Sequence, residues 1–358
     1  MRRLTLLFLL LLPGGAVSAQ QVERYTIDGD DVAIYNLAGQ LQVEGGQGAV
    51  TVQVTRGGTD AAQLKVGQGE IDGTPSFRIL YPSDRIHYQV GGNEGSTDLR
   101  VRDDGTFGDY DDDGGHRHEH DRGYGGRRVT IGSASGGLDA HADLRVAVPA
   151  GQRLRLHLAV GPVTVTNVNG DLWIDASSSQ VTATGVTGQL GVDVGSGKVQ
   201  VSRMDGDLSV DTGSGSVEIS GVKGRDLSVD TGSGEVTGTD LQGDQLTIDT
   251  GSGDIRLSGL RYPRLSLETG SGAVTADLRD DVRDLGVETG SGDIAITAPP
   301  TLGAEVEIET SSGDIETDFA MQITRHGRDH MTGTIGDGKG TISIETGSGE
   351  IKLLKRPS

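Results

Sequence analysis

Leu208-Ser-Val-Asp-Thr-Gly-Ser-Gly-Ser-Val-Glu-Ile219 is two alternating apolar runs joined by a Gly-Ser-Gly step, with a carboxylate just before the step. Strict alternation is the side-chain period of a strand, and a Gly/Ser cluster between two such runs is turn chemistry. The same sentence recurs nine times between Asp171 and Lys352. Its middle turn residue falls at Ser178, Ser196, Ser214, Ser233, Ser252, Ser271, Ser291, Ser312 and Ser348. The first eight are therefore spaced by 18, 18, 19, 19, 19, 20 and 21 residues, and the last gap, 36, holds one inserted or degenerate unit. A near-constant period of this size marks stacked structural units.

Same-phase positions line up from unit to unit. One column reads Leu172, Leu190, Leu208, Leu227, Leu246, Leu265, Leu285, Val306, Ile342, a second runs from Ile174 to Ile344, and a third, after the turn, from Val181 to Ile351. Three unbroken aliphatic columns make a continuous core. A meander of antiparallel hairpins would tolerate drift between units, whereas in-register parallel stacking requires the same phase in each. The expected fold is therefore all-β, a parallel β-solenoid (β-helix) with coils of 18–21 residues, stacked about 4.8 Å apart into a rod. Small residues let successive corners stack. A phosphate cradle is the competing reading of a Gly-rich step, but no copy is followed by a helix-forming run or by Lys-Ser/Thr.

Aromatic residues are 3% of the chain, and 59 of its 358 residues are glycine. A solenoid manages with Val, Ile and Leu because each coil buries its inward side chains against the next. So few rings argue against a sugar groove lined with stacking aromatics. The net charge of −21 excludes nucleic acid and anionic membranes as favoured partners and leaves cations and basic surfaces open. There is no cysteine, hence no disulfide and no thiolate metal site.

Met1-Arg-Arg, the apolar run Leu4 to Leu12 and the small-residue site ending at Ala19 read as a Sec signal peptide over residues 1–19. Export to the periplasm, the cell surface or the medium is expected, without direct membrane insertion. Residues 20–102 read as N-terminal β coils and a cap that hides the first β edge. Residues 103–128, rich in Asp, Gly and His, read as a disordered insert, and 129–358 as the solenoid repeats.

The repeat, together with Val32-Ala-Ile-Tyr-Asn-Leu-Ala-Gly-Gln-Leu-Gln-Val43, resembles the bacterial putative-adhesin family of β-strand repeat proteins, the DUF4097 family, over roughly Val22 to Leu354. The resemblance implies a right-handed parallel β-helix and supplies no catalytic residues. The 103–128 stretch has no counterpart in it.

Three side-chain sets carry candidate chemistry. The carboxylates before the turns, Asp175, Asp193, Asp211, Asp230, Asp249, Glu268, Glu288, Glu309 and Glu345, alternate with inward residues and should face solvent. Neighbours one coil apart would repel by about 0.9 kcal/mol at the dielectric of water. The column is either a solvated face that blocks lateral association or a row of weak Ca²⁺ sites. The threonines that follow, from Thr212 to Thr346, share the aliphatic phase and should point inward, hydrogen-bonding turn backbone. His116, His118 and His120 with Asp111, Asp112 and Asp113 are the metal candidates, a set suited to a weakly bound divalent ion. No other cofactor is implied. Acids that repeat by translation do not converge on a reaction centre, and His87, His141, His157, His326 and His330 are scattered, so no enzyme is expected. The expected protein is a non-enzymatic exported adhesin-like solenoid that offers a surface to an envelope or protein partner. The alternative is a periplasmic metal-binding accessory protein acting through the His/Asp-rich loop.

Overall fold

The computed structural model describes residues 22–89, 95–108, 126–133 and 136–357. Their one helical element is a three-residue 3-10 turn at Ala61–Gln63. Two sheets of 14 and 15 strands share one apolar core, and a third sheet has 3 strands.

In each repeat the run before Gly-Ser-Gly lies in the 15-stranded sheet and the run after it in the 14-stranded sheet, as with Leu208–Ser214 and Val217–Lys223. Successive copies pair parallel and in register. Leu208, Val210 and Thr212 lie beside Leu227, Val229 and Thr231, and Val199 and Val201 lie beside Val217 and Ile219. The step is thus a corner between sheets, and the solenoid-like stack replaces a hairpin meander. Each buried Val, Leu or Ile contributes roughly 1.5–3 kcal/mol against the entropy of ordering the chain.

The corner is tight. At Gly253 φ is +155°, and a Cβ there would stand 2.0 Å from the carbonyl oxygen of Gly234 in the preceding turn. A second bend is made by left-handed residues, Asn167 (φ 52°), Gly185 (71°), Arg203 (53°), Gly221 (61°), Asp240 (53°) and Gly259 (72°), so that glycine alternates with a larger residue from turn to turn. A Cβ at Gly185 would meet Asn167 Oδ1 at 2.4 Å, and one at Gly259 would meet Asp240 Oδ1 at 2.6 Å.

The threonine column points inward, with all seven residues from Thr212 to Thr346 buried. Thr269, Thr289 and Thr346 donate to the corner carbonyls of Gly253, Gly272 and Gly292 at 3.1, 3.0 and 3.0 Å. Among the described residues the buried hydroxyls of Thr212 and Thr231 have no hydrogen-bond partner. Two substitutions of like shape should therefore diverge. Thr289→Val should cost about 1 kcal/mol, and Thr212→Val should be neutral or stabilising, as read from paired urea unfolding curves.

Both ends depart from simple stacking. At the first, Leu41–Gly45 pairs with His141–Val148, followed outward by the antiparallel strands Val50–Gly57 and Val22–Ile27. Asp31–Ala38 is covered by Thr74–Leu80 and Lys65–Ile71. At the other end spatial order differs from chain order. Gly340–Thr346 lies between Asp284–Thr289 and Ala304–Thr310, and Ile351–Lys355 lies between Ile294–Ala298 and Ile315–Thr317. The 36-residue gap is thus an excursion that builds the outermost turn, with His330–Ile335 and Met321–His326 antiparallel beyond it. Arg325 and His326 are exposed on that last strand, where charge discourages pairing with another edge.

Candidate functional site

Outward side chains of the 15-stranded sheet form one register-aligned column. Tyr35 lies beside His157 and His157 beside Asp175. The column continues through Asp193, Asp211, Asp230, Asp249, Glu268, Glu288, Glu345 and Glu309. His330 stands across from Glu309 on the antiparallel neighbour. The nine carboxylates are exposed or half-buried, as their parity requires. Beside them runs a row of small polar residues, Ser209, Ser228, Thr247 and Ser266, with Trp173 at its head.

Among the described residues, Asp230, Asp249, Glu268, Glu288, Glu345 and Glu309 take no part in an ion pair, and the ladder's contact to His157 is made by Asp175. Like charges at strand spacing then have only solvent and salt to screen them. Burial, and after it the charges of Asp230 and Glu268, raise the pKa of Asp249 above the ordinary carboxylate value. A carboxyl whose pKa is raised by folding binds protons more tightly in the native state. Its contribution to stability is present below the unfolded-state value and is lost as pH rises through the raised one. Asp249→Asn should therefore stabilise the protein at pH 7, by about 0.5–1 kcal/mol after screening, and the gain should vanish below about pH 3, where the carboxyl is protonated in both states. Melting curves of both proteins at the two pH values check this.

The first rung is built differently. The His157 ring stacks on Tyr35 with centroids 4.3 Å apart and planes 4° from parallel, and Phe107 meets it edge-on at 6.3 Å. Its Nδ1 lies 2.9 Å from Asp175 Oδ2. The carboxylate accepts, so Nδ1 carries the proton, while the buried Nε2 has no partner among the described residues. Among the described residues no hydroxyl stands at Nε2, where a nucleophile would be activated. Gly108 covers the pair closely, since a Cβ there would fall 2.1 Å from Asp175 Oδ2. Sequence reasoning left His157 among scattered histidines, yet Leu154-Arg-Leu-His-Leu158 is in phase with Leu172-Trp-Ile-Asp-Ala176 and carries the signal that places it in the column.

The last rung borders a pocket of about 210 Å³ where Glu309, Glu345, Asp329 and His330 meet. His330 Nδ1 is 3.0 Å from Asp329 Oδ1, which holds the Asp329 carboxyl below its ordinary pKa. Among the described residues no group of three or more His, Asp or Glu side chains is placed to hold a metal ion, so the ladder presents no Ca²⁺ cage. The metal candidates His116, His118, His120, Asp111, Asp112 and Asp113 lie outside the described residues, as does the signal segment 1–19. No helix among the described residues is long and apolar enough to cross a membrane.

Comparison with known proteins bears on this architecture. No curated protein matches the chain. A structure described as a "putative cell adhesion protein" from Clostridium sporogenes is 10% identical, with 94% of this chain and 99% of that chain covered at a TM-score of 0.20. A "putative adhesin" from Parabacteroides merdae is 10% identical, with 94% and 96% covered at a TM-score of 0.30. Scores of this size establish no shared fold. The family described as Toastrack DUF4097 matches residues 16–354, and with nearly the whole sequence spanned the chain belongs to that family.

Proposed function

We propose that the protein is a non-enzymatic, exported, adhesin-like β-solenoid, right-handed and with coils of 18–21 residues, that offers a binding or structural surface in the bacterial envelope or outside the cell. The observation that carries this reading is the carboxylate ladder. Its chemistry repeats by translation along the sheet and does not converge on a point, which suits an extended contact better than a reaction centre. A basic protein surface in the envelope is the partner whose charge complements it.

The test is crosslinking of the tagged mature protein in cells, with capture from separated envelope and medium fractions and identification by mass spectrometry. The wild type is compared with Asp230→Ser/Asp249→Ser/Glu268→Ser and with a deletion of residues 109–125. Enrichment of one envelope partner by the wild type and by the deletion, with loss in the triple variant, is the expected result. Capture that survives the triple variant and fails only in the deletion would overturn the reading in favour of a metal-binding accessory acting through the His/Asp-rich loop.

A further inference from the structure

The two ends of the 15-stranded sheet are finished differently. Beyond the last repeat, the outermost strand Met321–His326 has a register shift between Ile323 and Arg325 and exposes Arg325 and His326. Irregular pairing and charge are the usual protections of a strand edge. At the first end the sheet closes on Lys65–Ile71, which pairs with Thr74–Leu80 alone. That strand, Lys65-Val-Gly-Gln-Gly-Glu-Ile71, has no register shift and no proline, and its middle residue Gln68 is exposed and uncharged.

Turn chemistry fixes which of its backbone groups are free. Asp72 (φ 49°) and Gly73 (φ 82°) are both left-handed, the two-residue turn that matches the twist of hairpin strands. Ile71 and Thr74 beside such a turn exchange both hydrogen bonds, and the exchange recurs at every second pair, Gly69 with Ser76, Gly67 with Arg78 and Lys65 with Leu80. Pro75 agrees with this phase, since it stands opposite Glu70 and has no N–H to give. The N–H and C=O groups of Val66, Gln68 and Glu70 therefore point away from the hairpin, and no described strand pairs with them.

We propose that this edge is a homodimer interface, in which two copies pair Lys65–Ile71 antiparallel about a two-fold axis through Gln68. The axis sets Val66 of one copy opposite Glu70 of the other and Gln68 opposite itself, so that each outward N–H meets an outward carbonyl. A second copy is the occupant because the strand is complementary to itself. Its positive end, Lys65, is brought to the negative end of its mate, Glu70 and Asp72, and symmetry makes the match twice, whereas parallel pairing would join like ends. Gly67 and Gly69 fall opposite each other and leave no side chains to collide there. The net charge of −21 opposes the contact only weakly, because the rods meet end to end and screening acts within about 8 Å at physiological ionic strength. An isologous contact closes on itself, so the product is a dimer and not a filament. The two 15-stranded sheets become continuous, with both carboxylate ladders on one side, although the contact itself does not rest on the ladder.

The chain has no cysteine, so one introduced thiol reports one contact. In a hydrogen-bonded antiparallel pair the Cα atoms stand about 5.5 Å apart, within disulfide reach. The full mature protein is followed by analytical ultracentrifugation across the micromolar range, and the expected result is a reversible monomer–dimer equilibrium. Gln68→Pro removes an outward N–H and leaves the bonds to Thr74–Leu80 in place, so it should raise the dissociation constant about tenfold or more at an unchanged melting temperature. Gln68→Cys should oxidise to a covalent dimer, and Ile323→Cys, at an exposed position on the strand at the far end, should not. A wild type that stays monomeric, a proline variant that is folded and still fully dimeric, or a disulfide formed as readily through Ile323→Cys as through Gln68→Cys would each overturn the proposal. The thiol comparison decides the matter even where the proline variant melts early. None of these outcomes touches the capture of an envelope partner, which the ladder variants test.

Discussion

Gly253→Val is expected to destabilise the protein by about 3–5 kcal/mol, the largest effect of any single substitution discussed. Two costs combine. A φ of +155° lies in a region that is essentially glycine-only and carries about 1–3 kcal/mol of strain for other residues. The new Cβ would also overlap the Gly234 carbonyl, standing 2.0 Å from it, and relieving that overlap means parting two turns whose strands pair in register on both sheets. Overpacking of this kind adds about 1–3 kcal/mol. Because each turn touches mainly its neighbours, the damage should be local. Amide exchange should accelerate first in Gln245–Thr250 and Ile255–Leu260. Ser252→Ala, one residue away on the exposed tip, should change stability by less than about 0.5 kcal/mol. A valine variant as stable as the alanine variant would show that the corner can open without parting the turns.

Removing residues 340–358 should cost more than the one turn it deletes. Gly340–Thr346 and Ile351–Lys355 are the partners of Ala304–Thr310 and Ile315–Thr317, so the outermost turn and the hairpin Met321–His326/His330–Ile335 lose their seat with them. Leu285, Val287, Ile294 and Ile296, now buried, would become an open edge. Limited proteolysis should cut this truncation back to about residue 298. The contrasting deletion removes 299–339 and joins Ala298 to Gly340 through a corner copied from the segment between Leu278 and Asp284. It should stay folded, since Asp284–Thr289 and Gly340–Thr346 are already neighbours. Resistance of the first deletion to proteolysis beyond residue 298, or collapse of the second, would contradict the observed order of strands.

Much of this stack was legible in the repeat. Alternation assigned Leu208, Val210 and Thr212 to the core and Asp211 to solvent, and the constant phase required parallel pairing. The strand order at the end was not legible. Val306 and Ile342 are both aliphatic in the same phase, so either satisfies the column beside Leu285, and only the longer gap marks the excursion. The ladder's first rung was hidden because His157 is a different residue type in the same register as Asp175. The reach of the Tyr262 ring back across Gly243 was not legible either, because it depends on where a ring goes once a corner glycine's place is taken.

The alternation at the left-handed bend bears on how such a chain lengthens. Asn167, Arg203 and Asp240 share their column with Gly185, Gly221 and Gly259, and the polar side chains at 167 and 240 occupy the space that a Cβ on the adjacent glycine would need. The unit that tiles without friction is therefore a pair of turns. A duplication or loss of two turns in the gene preserves the large-small rhythm, whereas a single-turn event sets two bulky neighbours against each other. Length variation among relatives should accordingly come in even steps along this part of the rod.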